Sequence, residues 1–419
     1  VRGRISKVLG LLLEASGLQA QTGHICNIFC ASGEVTEAEV VGFRDQKTLL
    51  MPAGFTRGIA PGDPVSPLNK SAHIQVSDGL LGHVLDAQGN PMNGKAMLIR
   101  GKQMPLHGQP LNPMSRHLID DTMQLGIRAL DACVTMGWGQ RIGLFAGTGV
   151  GKSVLLGMLA RNTNADVIII SLVGERGREV REFLESSLGE KALQRCVVIV
   201  STSDTPPVLR VRAALMATTI AEYFRDQGKK VLLLMDSLTR FVQAHREIGL
   251  VLGEPPTSKG YTPSCFSSLA TLLERAGPGT NGGCISALYT VLVEGDDLAD
   301  PVADAALSVL DGHVVLDRSL AERGHFPAIN ILKSVSRLAM SLNGESVRKA
   351  ARSLQKEYAL FERMEDMINM GAYKSGSNPM LDKVISRLPA IEAFLQQPQN
   401  EQSTLESARE RLISMMAQS

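Results

Sequence analysis

The 419-residue chain has no apolar run long enough to cross a bilayer; stretches such as Val167 to Ser171 and Val231 to Met235 are far too short. It has no excess charge of either sign: 43 basic residues stand against 42 acidic ones, for a formal net charge of +1. That balance removes a global electrostatic case for binding nucleic acid or an anionic membrane. It has no CxxC pair. Six cysteines are scattered, only Cys26 and Cys30 being close, which points to reduced, buried thiols in a cytosolic protein. Internal repeats and low-complexity tracts are missing too. The length does favour a substantial core, and at roughly 150 residues per domain it suggests two or three domains. The chain begins at Val1 in mid-pattern, so an upstream assembly segment is expected to have been trimmed.

What is present falls into three textures. Residues 1–75 alternate brief apolar runs with turn signals, as in Val40-Val41-Gly42-Phe43 and Pro61-Gly62-Asp63-Pro64-Val65, the pattern of a small β-barrel. A connector rich in Gly and Pro runs from Leu85 to Pro113. From about Asp120 to Ser336, short, largely apolar runs at 141–145, 167–171, 197–200, 231–235 and 286–292 alternate with longer amphipathic stretches. This is the signature of a parallel sheet covered by helices on both faces. Beyond Leu342 strand signals vanish, and helical spacing appears over 347–370, 380–395 and 401–416. The expected fold is α/β, a P-loop core (76–342) between a barrel (1–75) and a helical domain (343–419).

The strand Arg141-Ile142-Gly143-Leu144-Phe145 runs into Ala146-Gly147-Thr148-Gly149-Val150-Gly151-Lys152-Ser153 and then a helix. Glycines let backbone N–H groups wrap a polyphosphate at a helix N-terminus. Lys152 would reach the outer phosphates and Ser153 would serve Mg²⁺. Ala146 stands where the pattern usually has Gly, which a position needing only a small side chain accepts.

A second apolar strand, Val231 to Met235, ends in Asp236, either a Mg²⁺-water ligand or a helix N-cap. Ser237 follows, so no glutamate adjoins Asp236 and the water-orienting carboxylate must come from another strand end. Glu175, in Gly174-Glu175-Arg176-Gly177-Arg178-Glu179-Val180 after the run 168–173, is the candidate, with Glu179 as a holder of a metal-bound water. A solvated, ion-paired loop is the alternative reading of this segment. Positive charge against a phosphoryl transition state is also required. Arg337, in Ser334-Val335-Ser336-Arg337, is available, although a lone arginine is also the stuff of surface ion pairs.

These segments (AGTGVGKS, GERGREV, VLLLMDSLTR and PAINILKSVSR) occur in the order found in the catalytic subunit family of rotary ATP synthases. The chain is most similar to its type III secretion ATPases, shared by virulence injectisomes and flagellar export. The stretches carrying that likeness are Gly126 to Asp131, Gln243 to Gly249, Gly253 to Pro256, Leu273 to Gly277, Glu294 to Asp297 and Leu310 to His313. The resemblance implies a Mg²⁺-dependent ATPase that releases chaperones from export substrates and unfolds them. Lys152 would contact phosphate together with the loop Ala146–Ser153 and Arg176. Glu175 would be the catalytic glutamate, and Ser153 with Asp236 and Glu179 would serve the metal. Arg337 would be a finger inserted by a neighbouring subunit.

Because one chain carries both Glu175 and Arg337, the resemblance implies a homohexamer with six similar sites rather than paired active and silent subunits. Implied partners are stator and central-stalk proteins, export chaperones and effector proteins. The expected location is cytoplasmic, peripheral at the inner-membrane export gate. Overall texture favours the injectisome, and no single residue decides against flagellar export. The helical tail would meet chaperone and cargo, and Leu250 to Tyr261 would either line a pore or form an ordinary surface turn. The aromatic that stacks on adenine in the synthase's catalytic chain has no counterpart around Glu345-Ser346-Val347. A hexameric nucleic-acid translocase would want stacking aromatics and excess base in its barrel. Residues 1–75 offer only Phe29, Phe43 and Phe55, and Arg44, Lys47 and Arg57 are offset by Glu34, Glu37, Glu39, Asp45 and Asp63.

Overall fold

The structure is a computed structural model that describes residues 2–95, 101–293 and 299–417. The Glu294 to Asp297 stretch lies outside the described residues. Strands β1 (Gly3–Leu9), β2 (Leu12–Ser16), β3 (His24–Phe29), β4 (Val35–Arg44), β5 (Lys47–Pro52) and β6 (Pro64–Ser71) close into an antiparallel barrel ordered β1-β2-β5-β4-β3-β6. Closure leaves no free edge. Register shifts at Ile5/Lys7 in β1 and Val40/Gly42 in β4 add the bend that closure needs. Ile5, Leu13, Ile28, Val40, Leu50 and Val65 fill the barrel.

The central sheet is built from β7 (Val84–Asp86), β8 (Arg141–Ala146), β9 (Val167–Glu175), β10 (Cys196–Thr202), β11 (Lys230–Asp236), β12 (Cys284–Leu292), β13 (Gly312–Leu316) and β14 (Val335–Ser336). Their order is β14-β13-β8-β12-β11-β9-β10-β7, with the two-residue Gly277–Pro278 arm beside β12. Strands β7 to β13 of this sheet run parallel, and β14 caps the edge antiparallel to β13. Alternation along each strand feeds two apolar layers. Val231, Leu233 and Met235 join one core cluster, Leu232 and Leu234 the other. The connector that reads as turn-rich contributes β7, three residues that complete the far edge.

Helices α1 (Arg128–Cys133), α2 (Lys152–Asn162), α3 (Pro207–Asp226) and α4 (Leu238–Leu252) pack in these layers. The tail is α5 (Glu345–Asn369), α6 (Pro379–Leu395) and α7 (Leu405–Ala417). Val347, Ala350 and Leu354 form the buried stripe of α5. Asn378 caps α6 by accepting from the Met380 and Leu381 N–H groups, with Pro379 at its first position. Ala408 and Leu412 of α7 share a core cluster with α1 and α2, so the tail is sewn to the sheet domain. All six cysteines are free thiols, five of them buried. No helix among the described residues is long and apolar enough to cross a membrane.

Candidate functional site

Parallel pairing brings the carboxyl ends of β8, β9, β11 and β12 to one edge. Ala146 lies opposite Leu292, and Leu172 opposite Asp236. Open α/β sheets bind ligands outside such an edge. The chain leaving β8 turns into α2 through Gly149 (φ +80°) and Gly151 (φ +84°), left-handed conformations that side chains resist. Ala146 and Val150 are buried in the core beneath the turn. The small first residue therefore meets a packing demand.

Above the turn is a cleft of about 410 Å³. It is lined by Gly147, Thr148, Gly149, Gly151, Lys152 and Ser153 from the turn, by Glu175, Arg176 and Glu179 from the segment after β9, and by Arg240. Lys152 Nζ donates to Asp236 Oδ1 at 2.6 Å and approaches Glu175 Oε1 at 3.4 Å. Thr290 Oγ1 donates to the same Asp236 oxygen at 2.6 Å. Asp236 is 3% exposed. Burial opposes the Lys152 charge, but the two carboxylates hold it above its ordinary value. Burial, joined by the Asp236 charge, pushes Glu175 up to about 7 against the pull of Lys152. The ammonium thus occupies the centre of an anionic pair at the head of α2.

The alternative capping role falls to Ser237, not Asp236. The Ser237 hydroxyl accepts from the Arg240 N–H at 3.2 Å and starts α4, which frees the Asp236 carboxylate to face Lys152. Arg176 is solvent-facing and pairs with Glu179 at 3.4 Å. Both line the cleft at its outer rim.

Arg240 is a site residue that the sequence reading missed. Its Nη1 donates to Gln243 Oε1 at 3.0 Å, and its Nε is buried with no partner among the described residues. A buried guanidinium N–H without an acceptor, on the wall of this cleft, can donate to an anion bound there. The available signal was its place in the first turn of the helix after Asp236.

A second cavity of about 310 Å³ adjoins the first across Gly151. Val154, Leu155, Met158, Phe326, Pro327, Gln397 and Gln399 line the rest. Phe326 comes from the loop before β14 and packs beside the glycine turn, where a Cβ on Gly151 would meet its ring at 3.5 Å. An aromatic therefore does stand beside the phosphate cleft, about twenty residues upstream of the stretch around Glu345 that lacks one.

Arg337 is not brought to this site. It is exposed, its N–H donates to Asp311 O at 3.0 Å, and its Nη2 donates to Leu307 O at 3.3 Å. Asp311 in turn accepts from the backbone N–H of Arg141, the first residue of β8. Arg337 therefore sits at the amino edge of the sheet, one strand length from the Lys152 cleft.

Three stretches of the chain match known families in series. Residues 5–69 match the ATP synthase alpha/beta family β-barrel domain and residues 126–336 its nucleotide-binding domain. Residues 344–414 match the T3SS EscN ATPase C-terminal domain. The flagellum-specific ATP synthase of Pseudomonas aeruginosa is 50% identical, over 100% of this chain and 93% of the relative. The type 3 secretion system ATPase of Sinorhizobium fredii is 45% identical, over 97% and 90%. The assembled ATPase EscN of the enteropathogenic E. coli type III secretion system superposes with a TM-score of 0.93 at 42% identity, covering 99% of this chain and all of that one. EscN has also been solved with its central stalk EscO, and that structure superposes with a TM-score of 0.91. The chain belongs to the ATP synthase alpha/beta family, in the branch of ATPases shared by type III secretion and flagellar systems.

Proposed function

We propose that this ATPase is the homohexameric motor of a type III protein export system, releasing export substrates from their chaperones and unfolding them at the gate. Lys152 and the loop 146–153 hold the phosphates, and Glu175 orients the attacking water. Ser153 and Asp236 serve Mg²⁺, with Glu179 and Arg176 at the rim. The donor set suits that ion, because hydroxyl and carboxylate oxygens are the ligands Mg²⁺ prefers. No group of three or more His, Cys, Asp or Glu side chains is placed to hold a metal ion among the described residues, so the nucleotide and water would complete its shell. The ion would neutralise charge on the phosphates. Meanwhile Lys152 would exchange its contact with Asp236 for one with phosphate, and Arg240 would gain its missing acceptor. The cavity walled by Phe326 would take the base, stacking it on the ring.

The observation that carries the assembly is the place of Arg337. A guanidinium at the amino edge of the sheet cannot meet phosphate in its own cleft but can do so in a neighbour's, as a ring requires. The solved relative is an assembled ATPase, and EscN binds a central stalk. The tail of this chain is proposed to meet its stalk, chaperones and cargo, with stator proteins holding the ring peripherally at the cytoplasmic face of the inner membrane. The test is ATPase activity against protein concentration. Specific activity should climb as hexamers form; a flat profile with a monomeric sample at full turnover would contradict the reading. Flagellar export is the second reading, favoured by the 50% identity to a flagellum-specific relative. Restoring motility, or effector secretion, in cells deleted for the corresponding ATPase separates the two.

A further inference from the structure

One wall of the Phe326 cavity is not part of the nucleotide-binding sheet. Gln397 and Gln399 follow α6 and belong to the helical tail. This strap is tied down from the sheet domain at several points. The Gln397 N–H donates to Phe326 O at 3.0 Å, and Arg161 Nη2, in the last turn of α2, donates to Gln399 O at 2.8 Å. The Gln397 side-chain amide is wholly committed to protein. Its Oε1 accepts from the Arg128 N–H at 2.9 Å, and its Nε2 donates to Gly126 O at 2.9 Å and to Glu401 O at 3.1 Å. Gln399, exposed at the rim, is left to face a ligand.

Arg128 holds the centre of the strap. It is 3% exposed, the first residue of α1, and its guanidinium grips the end of α6. Nε donates to Phe394 O at 3.0 Å, Nη2 donates to Gln396 O, and Nη1 pairs with the Glu401 carboxylate. The last carbonyls of a helix lack intrahelical donors, and a planar fork with five N–H groups spans several of them at once, a spread that the compact three-donor ammonium of lysine does not reproduce. No atom of Arg128 lines either cavity.

We propose that Arg128 is a positioning residue for nucleoside recognition. By fixing the end of α6 and the Gln397 amide it sets the wall against which the base packs. The seating of the helical tail thereby tunes affinity for the base and leaves affinity for the phosphates alone. This rests on the Phe326 cavity being the base pocket. Any partner that shifts the tail would act on nucleotide affinity through this strap.

The full chain is assayed at a protein concentration where specific activity has levelled, with inorganic tripolyphosphate as a base-free competitor. Arg128→Lys should raise KM for ATP about tenfold while kcat and the inhibition constant of tripolyphosphate each stay within about twofold. Glu401→Gln, which keeps the fork on its carbonyls, should raise KM for ATP about threefold in the same selective way. An unchanged KM, or equal weakening of ATP and tripolyphosphate, overturns the proposal. If Arg128→Lys does not fold, Glu401→Gln decides by the same criteria. Phe326→Ala tests the pocket itself. If it leaves KM for ATP unchanged, the base reading fails. If it raises KM while both clamp variants do not, only the role of Arg128 falls.

Discussion

Arg337 lies at the amino edge of the sheet whose carboxyl edge carries Glu175. Arg337 is tied through Asp311 to Arg141, where β8 begins, whereas Lys152, 3.4 Å from Glu175, follows the end of that strand. Six residues of strand at ~3.3 Å each put on the order of 20 Å between them. An extended arginine cannot cover that distance. The carboxylate and the guanidinium of one chain therefore cannot act together on one phosphate.

Lys152→Ala should cut turnover by about 100-fold or more and also weaken the nucleotide-free fold. The ammonium is what neutralises Asp236 at 2.6 Å, and removing one partner leaves a buried carboxylate uncompensated. A loss of about 1–3 kcal/mol is expected, softened because Glu175 can take up a proton. Urea unfolding reads it. A variant as stable as the parent would show that Asp236 is neutralised by something else.

Arg240→Gln should lower turnover by about 10–100-fold with only a small drop in melting temperature, since the guanidinium Nε has no protein partner to lose and Nη1 gives up one bond, to Gln243. The Ser237 cap uses the backbone N–H of this residue and survives the substitution. A drop in stability with normal turnover would make Arg240 structural.

Arg275 belongs to the opposite category. It is 1% exposed, forks onto Glu222 at 2.8 and 2.7 Å, and donates to Leu106 O and Thr219 Oγ1. Arg275→Ala should destabilise by ~3–5 kcal/mol through an unpaired buried Glu222. The calorimetric midpoint checks this; a shift under about 2 °C would contradict it.

Glu39 makes the fold sensitive to pH. It lines a cavity of about 530 Å³ between barrel and sheet domain, facing His107 at 3.9 Å with Arg212 and His245 on the same walls. Burial pushes its carboxyl up from 4.5 to about 7, with Arg212 opposing. The folded state thus keeps a proton that the unfolded state has released, and stability falls as pH rises from 4.5 through 7. Glu39→Gln should be more stable than the parent by about 1–2 kcal/mol at pH 8 and nearly equal to it at pH 5. Equal stabilities at both pH values would refute this.

Much of this was legible in the chain itself. Strands β9 and β11 are apolar on both faces, so burial on two sides shows as unbroken runs. The phosphate turn announces itself because glycine is the residue that adopts the φ values at 149 and 151 without strain. Three residues at 84–86 gave no run long enough to read, and β7 is defined by its pairing with β10 and with the chain at 90–92. Arg240 was hidden in an amphipathic helix whose pattern reads as packing. Phe326 and Gln399 come from segments some 170 to 250 residues beyond the turn they adjoin, and no local periodicity marks such a meeting. The LERAG stretch carries family likeness, yet Arg275 is a buried structural tie, so resemblance alone does not separate chemistry from architecture.

The most direct measurement mixes Arg337→Ala with Glu175→Gln subunits, each nearly inactive alone, and assays ATPase activity in hexamers verified to contain both. A seam joining the intact Glu175 of the first variant to the intact Arg337 of the second is complete, and in a random equal mixture about a quarter of the seams are of this kind. Activity near a quarter of the parent level is the expected result; mixed rings no more active than either variant alone would contradict a site shared between neighbouring subunits.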